Sequence, residues 1–265
     1  MRHADHSFRA GMRRLGPAGA GHDPVVAANQ LNHAAAAGHA EAQHNLSLLY
    51  LNGAAARSPA GIWLGEARHA GTRALANAAL LFPDGVDLAA DPVRAFGLAK
   101  AAAEQGLACG QANLGMMYAR GLGCAQDFAA ASEWYARAAE QGDAAGALGL
   151  GILKEHGLGI AADPKDAARL YEQSALAGND MATTALALLH LEGKGVVRDE
   201  ALAVRLLGGP AAAGNAFAQY QLGLLLLDGR GITRNPARAG IWLRRAAAQG
   251  HAGASARLAD IDPEN

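Results

Sequence analysis

The hydrophobic positions of this chain repeat with a period of about 36 residues. A glycine that follows an alanine-rich stretch marks each period, and the last four intervals between these glycines are each 36 residues long. The marker glycines are Gly38, Gly71, Gly106, Gly142, Gly178, Gly214 and Gly250. Between successive markers, apolar residues recur at helical spacing in two segments. The pattern therefore predicts a chain of helix-turn-helix repeats.

The first segment of each repeat, helix A, is predicted to run for about fourteen residues after the marker glycine. It ends at a second glycine, which suits the left-handed conformation that closes a helix. These glycines are Gly53, Gly85, Gly121, Gly157, Gly193 and Gly229. A third glycine follows two residues later in four repeats, as Gly123, Gly159, Gly195 and Gly231. Because each G-x-G lies between two helices, we interpret it as a turn and not as a phosphate-binding loop.

The second segment, helix B, begins at a capping residue that is often followed by proline. Asp or Asn accepts the free N–H groups of the first turn, and proline at the first helical position loses no hydrogen bond. The pairs are Asp23-Pro24, Asp91-Pro92, Asp163-Pro164 and Asn235-Pro236. Two prolines depart from the pattern: Pro83 lies near a helix end in the second repeat, and Pro210 is expected to break or kink helix B of the fifth.

A core is predicted from one stripe of helix A and one position of helix B. Helix A carries a leucine at one site (Leu46, Leu114, Leu150, Leu186, Leu222) and a small residue beside it (Ser47, Gly115, Gly151, Ala187, Gly223). One turn later it carries Tyr50, Phe82 or Tyr118. Helix B offers a large residue that we expect to pack against the small site: Trp63, Leu98, Trp134, Leu170, Leu206 and Trp242.

Helix A also has a second stripe, nearly opposite the core stripe at 100° per residue. We predict that it lines a groove for another protein, which would bind as an apolar helix or an extended peptide. The candidate residues are Met116, Arg120, Leu148, Ile152, Met181, Leu188, Leu191, Glu192, Phe217, Tyr220, Leu224, Leu227 and Asp228. Arg120, Glu192 and Asp228 would orient the partner. The alternative is that superhelical winding buries this stripe against the next repeat.

Composition and charge narrow the classes of partner. Hydrophobic residues make up 51% of the 265 residues, much of it alanine, and the formal net charge is −1. No bulk positive field is present to attract nucleic acid, and no apolar run is long enough to insert in a membrane. Cys109 and Cys124 fall at opposite ends of one helix A, too far apart for a disulfide. No motif for a metal, a cofactor or a catalytic residue is found.

The chain is expected to contain one repeat domain with short flanking segments. Residues 1–22 are predicted to form a flexible leader, residues 23–261 the repeats, and residues 262–265 a C-terminal tail. The leader lacks the apolar centre of a signal peptide, so a cytoplasmic location is expected, or a periplasmic one if a signal peptide has been removed.

The repeats resemble the Sel1-like repeat family, which is related to the tetratricopeptide repeat. The family motif A-x-A-Q-x-x-L-G-x-x-Y-x-x-G-x-G-V-x-x-D, followed by A-x-x-W-Y-x-x-A-A-x-x-G, is well matched in the third repeat. The matching residues there are Gln111, Leu114, Gly115, Tyr118, Gly121, Gly123, Asp127, Trp134, Tyr135, Ala138, Ala139 and Gly142. The resemblance implies an all-α, right-handed α-solenoid superhelix of about six repeats. It also implies a non-catalytic scaffold or adaptor in bacterial signalling, secretion or envelope regulation.

Two other functions remain open at this stage. One is an immunity-type protein that neutralises a single secreted toxin. The other is a hydrolase acting on cell-wall precursors or β-lactams, although the chain has no cysteine pair within each repeat, no G-x-S-x-G and no S-x-x-K. Self-association is a further expectation, because the terminal half-repeats at 24–37 and 251–261 leave the repeat array with open ends.

Overall fold

A computed structural model describes residues 8–9, 32–52 and 91–261. None of these residues lies in a β-strand, and helices α1 to α11 account for most of them. The helices are α1 (Ala40–Asn52), α2 (Pro92–Glu104), α3 (Ala108–Arg120), α4 (Phe128–Glu140), α5 (Ala144–His156), α6 (Pro164–Leu176), α7 (Asp180–Glu192), α8 (Glu200–Ala212), α9 (Ala216–Asp228), α10 (Pro236–Ala248) and α11 (Ala252–Ile261). The prediction of an all-α chain of helix-turn-helix repeats is confirmed for these residues.

Several predicted features lie outside the described residues. They are the tail at 262–265, most of the leader at 1–22, the cap Asp23-Pro24, and Gly53, Trp63, Gly71, Phe82, Pro83 and Gly85.

The chain divides into two compact units. Unit 1 comprises Met1–Leu153 and Gly157–Ala161, and unit 2 comprises Lys154–His156 and Ala162–Asn265. In unit 1, α1 packs on α2, α2 on α3, and α3 on α4. In unit 2, each helix from α6 to α10 packs on the helix that follows it. Contacts between chain neighbours are what a repeat array requires.

The helix ends follow the predicted signals. In the four complete repeats from α3 onwards, helix A is 13 residues long and ends at a glycine in the left-handed conformation. Helix B begins at Asp91, Asp163 or Asn235, whose side chain accepts a backbone N–H two residues past the proline. Local capping chemistry therefore sets the length of each element.

The third glycine of each repeat is required by close packing as well as by its backbone conformation. Gly195 has a φ of +71°, and a Cβ built on it would overlap the backbone of Pro164, at the first turn of the preceding helix B. Gly231 meets the backbone of Glu200 in the same way. The G-x-G is thus a turn whose second glycine packs against the first turn of helix B of the preceding repeat.

The predicted core stripe is buried, but its partner on helix B is one residue later than expected. All five leucines and all five small residues of the helix A stripe are buried. A Cβ on Gly115 would lie 2.8 Å from the Tyr135 ring, and one on Gly223 would lie 2.8 Å from Leu243 Cγ. The residues that fill the small sites are therefore Tyr135 and Leu243, and not Trp134 and Trp242.

The two tryptophans lie at the edge of the core instead. Trp134 and Trp242 are half-buried, and the guanidinium groups of Arg137 and Arg245 lie 4.5 Å and 4.9 Å from their ring centroids. Adjacent helical residues point about 100° apart, so each indole points away from the small site. An arginine of the same helix covers the indole instead. Leu170, at the equivalent position of the fourth repeat, is buried.

Pro210 does not break its helix. It lies inside α8, which continues to Ala212. The proline removes one donor and sits in the last turn of the helix, where the following amides still bond. Ala213 donates to the Gly209 carbonyl, and Asn215 donates to the Pro210 carbonyl, both at 2.9 Å.

Two ring pairs share one spacing. In unit 1, Phe8 stacks on His39 with ring centroids 4.3 Å apart. In unit 2, Tyr220 stacks on His251 at 4.4 Å. Each pair is separated by 31 residues in the chain. Phe8 and Arg9, which lie inside the predicted leader, are helical.

Candidate functional site

None of the thirteen predicted groove residues is buried. In unit 1, Met116 and Leu148 are half-buried, and Arg120 and Ile152 are exposed. In unit 2, the exposed residues are Met181, Glu192, Phe217 and Asp228, and the half-buried residues are Leu188, Leu191, Tyr220, Leu224 and Leu227. The larger share of the stripe, nine residues, therefore falls within unit 2.

The apolar residues of unit 2 form one row on α7 and one on α9. Met181 and Leu188 are seven residues apart on α7, and Phe217 and Leu224 hold the same positions on α9. Seven residues are two helical turns, so each pair lies along one line of its helix, about 10 Å long. Met181 and Phe217 are 51% and 41% exposed. We call these four residues the apolar surface.

Four other apolar members of the stripe also pack on the core. Leu191 and Leu227 contact the buried cluster that contains Leu207 and Leu222. Leu227 and Tyr220 contact the cluster formed around Leu243, and Met116 contacts the unit 1 cluster that contains Leu114 and Met117. These four groove residues are thus held in place by the repeats themselves.

An aromatic cluster closes one end of the row on α9. The His251 ring stacks on Tyr220 and lies 6.0 Å from the Phe217 ring. His251 Nδ1 accepts a hydrogen bond from the Ala254 backbone N–H at 3.2 Å, so the same side chain caps α11. This contact was not predicted from the sequence, although the fixed spacing of repeat positions would have allowed such a prediction.

The predicted orienting charges differ in their surroundings. Glu192 and Asp228 are the last residues of α7 and α9, and both are exposed. Arg120 is the last residue of α3 in unit 1. Burial raises the pKa of Tyr135 to about 12, although the positive charge of Arg120 lowers it.

A polar cluster that the sequence analysis did not predict lies in unit 2. Tyr171 donates a hydrogen bond to Glu155 Oε2 at 2.7 Å, and Lys194 donates to Glu155 Oε1 at 3.1 Å. Partial burial raises the pKa of Glu155, but the two hydrogen bonds lower it further, and the net pKa lies below its usual value. The cluster is a satisfied structural network.

Histidines and cysteines form no recognisable reactive site in the described part of the chain. There, no three side chains of His, Cys, Asp or Glu come together in a way that could hold a metal ion. His190 Nδ1 lies 3.1 Å from the Val197 carbonyl oxygen, in the turn that follows α7. Both cysteines are free thiols, and burial raises the pKa of Cys109 to about 11, so its nucleophilic thiolate form is disfavoured.

No helix within the described ranges combines the length and the hydropathy needed to cross a bilayer.

Comparison with solved structures finds other repeat proteins. A Sel1 repeat protein from Oxalobacter formigenes is 25% identical, with a TM-score of 0.74 over 96% of this chain and 87% of that one. A protective antigen of uropathogenic Escherichia coli strains is 28% identical, with a TM-score of 0.63 over 99% of this chain. The chain spans 57% of the length of that antigen. A sel1 repeat protein from Klebsiella pneumoniae subsp. pneumoniae is 21% identical, with a TM-score of 0.51 over 88% of this chain and 98% of that one.

Comparison with known sequences identifies the repeat itself. No protein with a curated description matches the chain. The profile of the Sel1 repeat matches residues 40–59, 72–107, 110–143, 144–179, 180–208 and 216–251, which is more than half of the chain. The matched segments follow the same periods as the helix pairs, and the chain therefore belongs to the Sel1 repeat family.

Proposed function

We propose that this protein is a non-catalytic interaction scaffold that captures an apolar segment of another protein on the apolar surface of α7 and α9. Sel1 repeat proteins generally mediate protein–protein interactions, and the family typically serves as a non-catalytic scaffold. The present proposal assigns that general role to particular residues of this chain.

The observation that carries the proposal is the exposure of large apolar side chains on helices that already bury another face. Leu186 and Ala187 of α7 and Leu222 and Gly223 of α9 are buried in the repeat core. Met181 and Phe217 lie on the other stripe of the same helices and remain exposed. One apolar face is sufficient to fold a helix into a repeat, so the second face is available for binding.

Residues that flank this surface are held by the core. Tyr220 and Leu227 on α9 and Leu191 on α7 pack on core clusters and flank the four residues of the apolar surface. Flanking side chains that the core already holds lose little conformational entropy when a partner binds beside them. The arrangement favours a binding role over a purely structural one.

A pull-down from native lysate, analysed by mass spectrometry, tests the proposal. The test variant combines Phe217→Glu with Leu224→Glu, which places two charges on the apolar surface. The matched control combines Leu176→Glu with Ile241→Glu, because these exposed apolar residues lie on helices B of the same unit. Circular dichroism and thermal unfolding establish that both variants fold.

The expected result is a partner that the wild type and the control retain and that the test variant loses. Partners that bind all three proteins equally would contradict the proposal and would direct attention to the helix B face, the turns or the ends of the array.

A further inference from the structure

The charges of α7 and α9 are all of one sign. Asp180, Glu192 and Asp228 are acidic, and neither helix contains a lysine or an arginine. The helices B of the same unit carry both signs, and their basic residues are Lys165, Arg169, Arg205, Arg238, Arg244 and Arg245. Helices α7 and α9 themselves thus contribute only negative charge, although the whole chain has a formal net charge of only −1.

Two of these carboxylates stand where their own helix disfavours them. Glu192 ends α7 and Asp228 ends α9, and the C-terminal end of a helix carries partial negative charge. Among the described residues, neither carboxylate has a hydrogen bond or an ion pair. Each therefore lacks a direct ion-pair partner within the described ranges, at a helix end that a cation stabilises.

The basic side chains of the nearby turns bind other acceptors. After α7, Lys194 pairs with Glu155 at 3.1 Å, and Arg198 pairs with Glu200. After α9, Arg230 pairs with Glu200 at 2.8 Å, and Arg234 donates to the Leu227 carbonyl at 2.9 Å. The turns thus contain four basic side chains, and none of them neutralises Glu192 or Asp228.

We infer that the segment bound on the apolar surface is a cationic amphipathic helix of another protein. This inference rests on the proposed function and specifies the chemistry of the partner. The rows Met181–Leu188 and Phe217–Leu224 have a seven-residue spacing, which matches the apolar face of a helix with a seven-residue repeat. Lysine or arginine on that helix would pair with Glu192 and Asp228.

The experiment is a selection from a displayed library of random 16-residue peptides on the immobilised full chain. Enriched peptides are then synthesised with a fluorescent label, and their binding is measured by anisotropy. The charge variant is Glu192→Gln with Asp228→Asn, and its matched control is Glu133→Gln with Glu172→Gln, two exposed carboxylates on helices B. The variant with Phe217→Glu and Leu224→Glu tests the apolar contact separately.

The expected peptides carry apolar residues at helical spacing and a net positive charge. Their affinity falls about tenfold for the charge variant, falls again when the salt concentration rises, and is unchanged for the control. Neutral or acidic peptides that bind through Phe217 and Leu224 and ignore the charge variant would overturn the inference and leave the proposed function standing. Enriched peptides with strand-like alternation or many prolines would overturn the helical part. Binding that survives Phe217→Glu with Leu224→Glu would overturn both proposals.

Discussion

Tyr171 donates its phenolic hydrogen to Glu155 Oε2 at 2.7 Å, and this bond joins α6 to the end of α5. Tyr171 is buried, and Lys194 from the turn after α7 holds the second carboxylate oxygen. One carboxylate therefore links the end of α5, α6 and the turn after α7.

Replacing Tyr171 with phenylalanine should destabilise the chain by about 1–2 kcal/mol, because a hydrogen bond to a charged acceptor is lost while the ring still fills its site. Urea unfolding at pH 7 would measure the change. In the background of Glu155→Gln, the same substitution should matter less. An equal loss in both backgrounds would mean that the hydroxyl acts through another contact.

The same carboxylate gives a defined pH dependence. The pKa of Glu155 is lower in the folded chain than in the unfolded chain, so its contribution to stability is present above the unfolded value of about 4.3 and is lost as the pH falls through the folded value. The stability difference between wild type and Glu155→Gln should therefore shrink between pH 6 and pH 3 in urea unfolding. A difference that is constant over this range would contradict the assignment.

His44 should make unit 1 sensitive to mild acid. Burial lowers the pKa of His44 from about 6.5 to about 4, and neither ring nitrogen has a hydrogen-bond partner among the described residues. Between these two values the unfolded chain binds a proton that the folded chain does not, so stability falls as the pH falls. Between pH 6.5 and pH 4.5, the free energy of unfolding should therefore fall by about 2 kcal/mol more in the wild type than in His44→Leu. Parallel curves for the two proteins would refute the prediction.

Replacing glycine with alanine should have opposite effects at two positions. Gly208 lies inside α8 with nothing within 4 Å of a Cβ, so Gly208→Ala should stabilise the chain by about 1 kcal/mol through helix propensity. Gly223 lies inside α9, and its Cβ would meet Leu243 Cγ at 2.8 Å, so Gly223→Ala should destabilise it. Thermal unfolding of the two variants would measure both effects. Stabilisation by Gly223→Ala would show that Leu243 moves aside at little cost.

His251 has two contacts that substitution can separate. His251→Asn should retain the cap of α11 but lose the stacked ring on Tyr220, and His251→Ala should lose both. We expect the alanine variant to be less stable than the asparagine variant by about 1 kcal/mol. Hydrogen exchange of the α11 amides would report the difference. Equal protection in both variants would indicate that the cap contributes nothing.

The helix boundaries could be predicted because their causes are local. Asp163 and Pro164 specify the start of α6 through two adjacent residues, and Gly193 specifies the end of α7 through its own backbone conformation. The break predicted at Pro210 is absent because the effect of proline depends on its position: in a last turn, the amides that follow it still find acceptors.

The packing partners could not be read from periodicity alone. Trp134 and Tyr135 are both large, and the helical repeat allows either to face Gly115. In the structure, the Tyr135 ring packs on Gly115, and the Trp134 ring packs against Arg137. Likewise, a helical wheel assigns Leu188 and Met181 to one stripe, but it does not distinguish the half-buried Leu188 from the exposed Met181.

The equal 31-residue spacing of Phe8–His39 and Tyr220–His251 bears on where the chain can be trimmed. A boundary drawn at residue 23 from composition would remove a ring that covers the start of α1, in the manner of Tyr220 before α11. Phe8→Ala alone should lower the free energy of unfolding by about 1 kcal/mol, as expected for a lost stacked pair. Expression designs that begin at residue 23 would thus discard part of what orders α1, and binding assays on them would measure a loosened first repeat.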